Sequence, residues 1–402
     1  MAPPPARRPS DTGKNPGFVV QPIGRRRFLV VAGGLAAAAT LGPHLAWAKK
    51  ASQSRRVPSL LQPWTLPDDP PGNVLEEARA LIGAAVLAPS EWNTQPWRFE
   101  VEHASVRMVA DPTRLLPWTD PDSRGLMISL GAALENLLIA ARAYGLRPTV
   151  EYFPPAGANG VVAEVIWASG DVRRDRALFA AIPGRRTNRR EYDGRGVFPE
   201  QRAQLVAQVP EGLNIHWMDD RATIREVAKL AHDAVYDQTR HEQTAAEQFA
   251  WIRFGDEARR RADGVPVDNL ELGAVTSWMA KRYFNPTSWF SRFGPEHSAR
   301  EARDGLRSAG ALVLLSAPSR EQVQWLMGGQ AWERFALQAG ALGLALQPVS
   351  APIEIERYRA PLLRAFEATG EEPLMLARLG HAKNPAATTR RNIALVATFR
   401  NT

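Results

Sequence analysis

The most informative part of this 402-residue chain is the stretch Pro89-Ser90-Glu91-Trp92-Asn93-Thr94-Gln95-Pro96-Trp97-Arg98-Phe99. Pro89 fixes its own φ angle and ends a preceding helix. Ser90 and Asn93 offer short hydrogen-bonding groups that suit the edge of a heteroaromatic ring, and Gln95-Pro96-Trp97 turns the chain into a strand. The stretch therefore predicts a helix-to-strand loop that faces a planar ligand. The alternative is a plain turn packed by its two tryptophans.

Regular elements are predicted on both sides of this loop. Val74–Leu87 has apolar residues at helical spacing, and Asn73 with Glu76 forms the pattern of a capping box at its start. Beyond the loop, Arg98–Val101 and Val106–Val109 alternate apolar and polar residues, as strands do. The loop is thus expected to connect a helix to a pair of strands.

Two long helices are predicted in distant parts of the chain, over Leu126–Tyr144 and Met327–Leu342, and each is closed by a glycine. When residues 131–154 are laid over residues 329–352, a constant offset of 198, eight of 24 positions coincide. Each helix then leads into a strand-like run that ends in proline. This matched order indicates an internal duplication, so that the chain has two halves dividing near residues 175–183. The coinciding positions include Glu135 and Glu333, Ala141 and Ala339, Gly145 and Gly343, and Leu146 and Leu344.

A basic segment, Arg185-Arg186-Thr187-Asn188-Arg189-Arg190, lies at the start of the second half. In an extended chain, alternation places Arg185, Thr187 and Arg189 on one side. Guanidinium groups bind phosphate oxygens through bidentate, charge-assisted hydrogen bonds, and a hydroxyl between them adds a donor. The segment therefore predicts a phosphate-binding site, although an arginine-rich turn taken alone is also typical of a solvated surface.

The loop resembles the P-S-x-x-N-x-Q-P-W-x-F loop of the nitroreductase superfamily, and the basic segment resembles the R-x-S/T-x-R segment with which that superfamily holds the phosphate of FMN. The run Asp120–Arg124 and the following Ser129–Leu134 are most similar to its Acg-type branch, which joins two nitroreductase-like halves in one chain. Members usually carry an aromatic residue two positions after the second arginine. Here Glu191 stands at that position and Tyr192 follows it, which leaves the register of the phosphate segment open by one residue.

The resemblance implies an α+β fold of nitroreductase type, with two fused pseudo-symmetric halves that each pack a mainly antiparallel sheet against helices. It also implies FMN as the cofactor. Ordinary members bind each flavin between two subunits, whereas here the loop lies in the first half and the basic segment in the second. One complete site per chain follows, in a monomeric pseudo-dimer or a weak homodimer.

The implied FMN-binding residues fall into four groups along the chain. The groups are Pro89, Ser90, Glu91, Asn93 and Gln95 in the loop; Arg185, Thr187 and Arg189 at the phosphate; Pro352, Ile353 and Glu354 beside the ring, after a strand-like run; and Arg390 and Arg391, which would close over the phosphate. The plain alternative for the third group is a strand exit turned by proline, and that for the fourth group is a solvated C-terminal tail.

The first 48 residues have the pattern of an export signal. Arg25-Arg26-Arg27-Phe28-Leu29 runs into a stretch rich in Ala and Gly, and Ala46-Trp47-Ala48 offers a cleavage site. The paired arginines resemble a twin-arginine signal. This predicts export of the folded protein by the twin-arginine translocase to a periplasmic or other extracytoplasmic location. The alternative is an uncleaved membrane anchor, although the apolar run is short of the roughly 20 residues that a spanning helix needs.

The rest of the chain divides into further segments. Residues 49–72 are Pro-rich and predict a linker or an extended arm. Residues 73–180 are expected to form the first half and residues 181–402 the second. The second half carries an insertion at about 242–297 with many arginines and aromatic residues, concentrated in Trp278–Phe293. This insertion is either a pair of helices that completes the core or a lid over a planar ligand.

Composition excludes several classes of function. The chain has no cysteine, so disulfides, thiolate nucleophiles and cysteine-ligated metals are absent. Its formal net charge is +8, of which residues 1–48 carry +5, and the remaining +3 is no basic footprint for nucleic acid. Dinucleotide-binding, P-loop, serine-hydrolase and zinc-protease motifs do not occur. His232 and His241 lack metal-ligand spacing, so no metal site is predicted.

Together these observations predict an FMN-dependent oxidoreductase. It would pass hydride from a donor such as NAD(P)H through FMN to an electron-poor acceptor. Because the cofactor carries the chemistry, no side chain is assigned as a catalytic acid or base. The alternative is a flavin-binding protein that does not turn over, with FMN sealed under an aromatic lid.

Overall fold

The computed structural model describes residues 65–69, 72–155, 160–170, 174–271 and 294–400. All of these residues lie in one unit, Pro58–Thr402. The predicted export signal lies outside the described residues, as do most of the predicted arm and the aromatic run Trp278–Phe293 of the insertion. Those expectations stay predictions.

The described residues combine helices with mainly antiparallel sheets, which confirms the expected α+β class. The helices are α1 (Val74–Ala85), α2 (Arg124–Ala143), α3 (Arg176–Ala181), α4 (Pro199–Val206), α5 (Arg221–Arg240), α6 (Glu242–Ala250), α7 (Glu257–Arg261), α8 (Gly294–Arg307), α9 (Gln322–Ala341), α10 (Ala351–Glu354) and α11 (Glu356–Ala365). The strands are β1 (Trp97–Glu102), β2 (Ser105–Ala110), β3 (Leu146–Tyr152), β4 (Val161–Ser169), β5 (Asn214–Met218), β6 (Ile252–Arg253), β7 (Val265–Pro266), β8 (Ala311–Ala317), β9 (Ala345–Pro348), β10 (Glu372–Gly380) and β11 (Ala397–Phe399).

The first sheet has the strand order β11-β1-β2-β4-β3. Its neighbours are antiparallel except β11, which runs parallel to β1 and places Ala397 opposite Phe99. In β1, Trp97, Phe99 and Val101 are buried and the polar residues between them are more exposed, as alternation requires. The last strand of the chain therefore completes a sheet that is otherwise built from residues 97–169.

The second sheet has the order β5-β8-β10-β9 and is antiparallel throughout. β8 is buried at every position, which fits its nearly continuous apolar sequence between two neighbouring strands. β10 pairs with β9 so that Ala377 lies opposite Pro348, the last residue of β9. The chain that leaves β9 enters α10 directly afterwards.

The centre of the core is the pair of long helices α2 and α9. A Cβ on Gly131 would clash with the carbonyl oxygen of Leu326, and a Cβ on Gly329 would clash with that of Ile128. Glycine is therefore required at both positions for the two backbones to touch. Under the offset of 198, Gly131 corresponds to Gly329 and Ile128 corresponds to Leu326, so the two contacts are equivalent. By length and a mean hydropathy of 1.5, α2 would pass as a membrane span, but 94% of that window is buried in the protein, as in a core helix.

The helix ends agree with most of the predicted signals. Asn73 caps α1, since its side chain accepts the N–H of Glu76 at 2.9 Å. The predicted capping box is not completed, because the Glu76 carboxylate pairs with Arg79 one turn further along. Gly145 and Gly343 follow α2 and α9 with φ angles of 79° and 72°. In this left-handed conformation only glycine avoids the steric cost of a side chain.

Candidate functional site

The predicted segments converge on a cleft with a volume of about 290 Å³. The loop from Pro89 to Trp92 forms one wall, and the first turns of α2, from Arg124 to Ala132, form another. Thr187 and Arg189 line it from the basic segment, and Trp332 lines it from α9. The cleft therefore takes residues from both predicted halves of the chain.

A smaller chamber of about 60 Å³ adjoins this cleft. The residues that line both cavities are Pro89, Ser90, Trp92, Thr187 and Arg189. The chamber is also the point at which the arginines collect. Those that line it are Arg185, Arg186, Arg189 and Arg390.

Burial makes this group of arginines electrostatically unfavourable unless an anion joins it. Arg185 is 6% exposed and Arg390 is 5% exposed. The pKa of Arg390 is lowered to about 9, first because burial disfavours its charge and then because Arg185 lies nearby. Burial also lowers the pKa values of Arg185 and Arg189. Buried charges of one sign need compensation, so the chamber suits a group with two negative charges, such as a phosphate.

One carboxylate, Glu333 of α9, lies beside this group. It is fully buried, and its Oε1 lies 3.6 Å from Arg185 Nε, which is too long for a hydrogen bond. Burial raises the pKa of Glu333 to about 7, against the opposing effect of the Arg185 charge. Near neutral pH, Glu333 therefore neutralises Arg185 only in part. Glu135, at the matching position of α2, instead forms short ion pairs with Arg142 at 2.7 Å and Arg334 at 3.0 Å.

The loop at residues 89–97 has an unusual backbone. Trp92, Asn93 and Gln95 have φ angles of 48°, 52° and 52°, a left-handed region that residues with side chains enter at a cost. Ser90 Oγ accepts the N–H of Gln95 at 2.9 Å and holds this conformation. Strained loops of this kind cluster at binding sites, which favours the binding interpretation over a plain turn.

Asn93 and Gln95 connect the loop to distant segments. Asn93 Nδ2 donates to the carbonyl of Gly264 at 2.6 Å, and its Oδ1 accepts from Arg390 Nη1 at 2.8 Å. Gln95 Nε2 donates to the carbonyl of Ala262 at 2.9 Å, and its Oε1 accepts the N–H of Arg391 at 2.7 Å. These two side chains therefore position the insertion and the C-terminal arginines around the chamber.

The structure brings most of the predicted binding residues to the two cavities. Which of them contact a ligand stays a prediction. Those that line the cleft or the chamber are Pro89, Ser90, Glu91, Asn93, Arg185, Thr187, Arg189, Ile353, Glu354 and Arg390. Those that line neither are Gln95, Pro352 and Arg391.

Three carboxyl groups meet at the cleft, and the sequence pointed to only two of them. Glu91, Asp120 and Glu354 all line it. The Glu91 carboxyl lies beside that of Glu354, and burial, followed by the charges of Glu354 and Asp120, raises the pKa of Glu91 well above its usual value. Gln238 of α5 donates a hydrogen bond to Glu354. Asp120 accepts two backbone N–H groups at the start of α2, at 3.0 and 2.8 Å.

Arg124 is a site residue that the sequence did not assign. It lines the cleft at the start of α2 and is 4% exposed. Its Nη1 lies 3.7 Å from Glu372 Oε1 and has no hydrogen-bond partner among the described residues. Burial, followed by the charge of Arg359, lowers the pKa of Arg124. The signal in the sequence was a charged run directly before a long apolar helix, but only the fold shows that its arginine reaches the cleft.

The described part of the insertion contributes to the walls. Leu270 lines the cleft, and Val265 and Asn269 line the chamber. Asp263 connects this part to Arg114, outside the insertion, through an ion pair of 2.9 Å, and a second ion pair of 2.9 Å with Arg253 lies within the insertion. The described part of the insertion is therefore anchored beside the site.

No family model matches the chain. Among curated proteins, it is similar to two of Mycobacterium tuberculosis that bear provisional names as NAD(P)H nitroreductases. One is 29% identical over 309 residues, which cover 76% of this chain and 86% of that protein. The other, Acg, is 27% identical over 327 residues, which cover 78% and 93%.

Solved structures give weaker likenesses. The FMN-dependent nitroreductase NfnB of Mycobacterium smegmatis, in complex with NADPH, has a TM-score of 0.32 at 16% identity and covers 52% of this chain and 88% of its own. A protein of Anabaena variabilis that is provisionally named a nitroreductase has a TM-score of 0.39 at 12% identity, and the match covers 69% of each chain. These scores are too low to bear on the function of this chain.

Proposed function

We propose that this protein is an FMN-dependent oxidoreductase of the nitroreductase superfamily, in its Acg-type branch. The observation that carries the proposal is the junction of an arginine-lined chamber of about 60 Å³ with a larger cleft of about 290 Å³. FMN has the same two parts, a compact dianionic phosphate and a broad ring. The provisional names of the Mycobacterium tuberculosis relatives support the same activity.

The residues present fit this cofactor. Arg185, Arg189 and Arg390 would hold the phosphate, whose charge compensates a cluster that burial otherwise disfavours. Thr187, which lines both cavities, would add a hydroxyl donor. Trp332 supplies an apolar wall of the cleft for the ring. When bound, FMN supplies the transfer of hydride from NAD(P)H to an electron-poor acceptor, and the chain supplies binding and orientation.

We further propose one flavin per chain, in a pseudo-dimer. Ala132 and Ser350 line the cleft and leave it open. Under the offset of 198, the positions equivalent to Ala132 and Ser350 are Gln330 and Tyr152. Both are larger residues, and the Tyr152 hydroxyl donates a hydrogen bond to Gln330 Oε1 at 2.9 Å. The pseudo-equivalent position is thus occupied by side chains, which supports a single site.

A second function, flavin binding without turnover, is favoured by one observation. The described part of the insertion is tied to the loop by hydrogen bonds from Asn93 to the carbonyl of Gly264 and from Gln95 to that of Ala262. Its buried Asp263 also forms an ion pair with Arg114. A lid held in this way would resist opening for a nicotinamide donor. Steady-state oxidation of NADPH with a nitroaromatic acceptor separates the functions: rapid bleaching of the flavin supports the enzyme, and a flavin reduced by dithionite but not by NADPH supports the binding protein.

Export by the twin-arginine route to the periplasm remains part of the proposal. It is supported by Arg25 and Arg26 before an apolar run and by the need of a cofactor-loaded protein to cross a membrane folded.

The first test of the whole proposal is the cofactor itself. Chromatography of the heat-released ligand from purified protein is expected to give FMN, and FAD or an empty chain would contradict the proposal.

A further inference from the structure

We propose that Arg378 and Tyr192 are a pair of positioning residues that shape the basic segment for the phosphate of FMN and so set the preference of the site for FMN over riboflavin. Neither residue lines the cleft or the chamber. The inference rests on the proposed function, because the phosphate is that of the proposed cofactor. It goes beyond that function by assigning the choice between two flavins to residues outside both cavities.

The first observation is that Arg378 of β10 holds the backbone of the basic segment. Its Nη2 donates to the carbonyl of Arg190 at 2.8 Å and lies 3.5 Å from the carbonyl oxygen of Asn188. These two carbonyls flank Arg189, which lines both cavities. A backbone held on both sides of Arg189 limits the directions that its side chain can take. Arg378 would therefore act on the phosphate through Arg189.

The second observation is that Tyr192 holds the same stretch through a separate hydrogen bond. It is buried, and its hydroxyl donates to the carbonyl of Asn188 at 2.9 Å. The Arg378 guanidinium lies over the Tyr192 ring, with Cζ 4.0 Å from the ring centroid, which is well within the range of a cation–π contact. A Cβ on Gly380 would lie 2.9 Å from the ring, so the ring packs tightly against β10. The hydroxyl of Tyr192 thus fixes the segment, and its ring fixes Arg378.

The third observation is that uncharged groups hold the rest of the Arg378 guanidinium. Its Nε donates to Gln347 Oε1 at 2.7 Å, and its Nη1 donates to the carbonyl of Gly305 at 2.8 Å and to Ser308 Oγ at 3.1 Å. None of these acceptors neutralises the charge, although Arg378 is only 2% exposed.

The charge of Arg378 reaches the phosphate chamber. Burial lowers the pKa of Arg189 most, and the nearby charge of Arg378 lowers it further. A buried charge is costly unless an opposite charge compensates it. A phosphate in the chamber would supply that opposite charge, whereas riboflavin, which has no phosphate, would not. The pair should therefore favour FMN over riboflavin through both the geometry and the charge of the basic segment.

Fluorescence titrations of the full-length apoprotein with FMN and with riboflavin test the pair, because the two ligands differ only in the phosphate. Arg378→Met keeps the length of the side chain and removes its charge and its donors. It is expected to raise the Kd for FMN about tenfold and the Kd for riboflavin by less than about twofold. Tyr192→Phe keeps the ring and loses the hydroxyl, and it is expected to raise the Kd for FMN about threefold with the same small effect on riboflavin.

Two control variants lose comparable contacts away from the chamber. Tyr144→Phe removes another buried hydroxyl, which donates to the carbonyl of Pro67 at 2.8 Å. Arg142→Met removes a guanidinium that pairs with Glu135 at 2.7 Å and with Asp175 at 2.6 Å. Both controls are expected to lower the free energy of unfolding and to leave the ratio of the two Kd values at its native value.

The ratio of the two Kd values decides the outcome. A native ratio in Arg378→Met and Tyr192→Phe would overturn the assignment, and so would equal losses for FMN and riboflavin, because a general loss of structure does not select for the phosphate. If Arg378→Met does not fold, Tyr192→Phe decides by itself. A native chain that binds neither flavin would instead refute the proposed function. The pair is then tested with inorganic phosphate: a rise in Tm that is smaller in Tyr192→Phe than in the native chain supports it, and an equal rise overturns it.

Discussion

Replacement of Glu333 by glutamine tests most directly whether the arginine-lined chamber binds a phosphate. If the phosphate binds as proposed, the ionised Glu333 carboxylate and the phosphate would compete for the guanidinium of Arg185, which lies 3.6 Å from Glu333. Burial raises the pKa of Glu333 to about 7, so this competition should begin near neutral pH. Glutamine keeps the shape of the side chain and removes the titration.

The size of the effect follows from the fraction of molecules that stay protonated. At one pH unit above a pKa of about 7, roughly a tenth of the molecules keep Glu333 neutral. If only those molecules bind FMN fully, the apparent Kd rises about tenfold between pH 6 and pH 8. Glu333→Gln should bind FMN with native affinity at pH 6 and about tenfold more tightly than the native chain at pH 8.

The assay is fluorescence titration of FMN with native and variant apoprotein at both pH values. The phosphate of FMN itself titrates near pH 6, but it does so for both proteins, so the ratio of their Kd values isolates Glu333. Glu135→Gln, at the matching position of α2, is the control, and its Kd for FMN should equal that of the native chain at both pH values. Equal native and variant affinities at pH 8 would refute the assignment of the phosphate to Arg185.

The same substitution has an expected effect on stability that does not involve flavin. The Glu333 carboxyl ionises near 4.5 when unfolded and at about 7 when folded. Because the folded pKa is raised, its contribution to stability is fully present below pH 4.5 and is lost as the pH rises through 7. The loss corresponds to about 3 kcal/mol. Urea unfolding of apoprotein at pH 5 and pH 8 should show most of this loss in the native chain and none of it in Glu333→Gln.

Three further results are expected. Arg185→Ala should weaken FMN binding by about 1.5–3 kcal/mol through loss of a charge-assisted contact, and Asn93→Ala should weaken the same site because it removes one of the hydrogen bonds that position Arg390. The exposed Arg300→Ala is the control, and full flavin occupancy in the first two variants would mean that the site is misplaced. Flavin absorbance against protein concentration, with the mass from light scattering, should give one FMN per chain, and a ratio near two would contradict the single site. Arg25→Lys with Arg26→Lys should block export of the full chain while a version without residues 1–48 still binds flavin, and export that persists by a general secretory route would exclude the twin-arginine signal.

Much of the local structure was predictable, because caps, alternation and glycine stops act over a few neighbouring residues. Asn73 marked the start of α1, and Gly145 and Gly343 marked the ends of the two central helices. The offset of 198 also matched Gly131 with Gly329, and the structure places them at equivalent points of the helix crossing. The fixed residue types of the loop indicated the ligand class, because a motif of that length is specific by itself.

What the residues alone did not reveal depends on contacts between distant parts of the chain. Nothing near Gln95 indicates that its amide would hydrogen-bond to Ala262 of the insertion and to Arg391 rather than line a cavity. Nothing near Arg124 indicates that its guanidinium would be buried in the cleft, or near Glu91 that a second carboxyl would lie beside it. Burial sets the energies of these charges, and burial is a property of the packed chain. Sequence therefore supplied the residue types at the site, and only tertiary packing determined their ionisation and their partners.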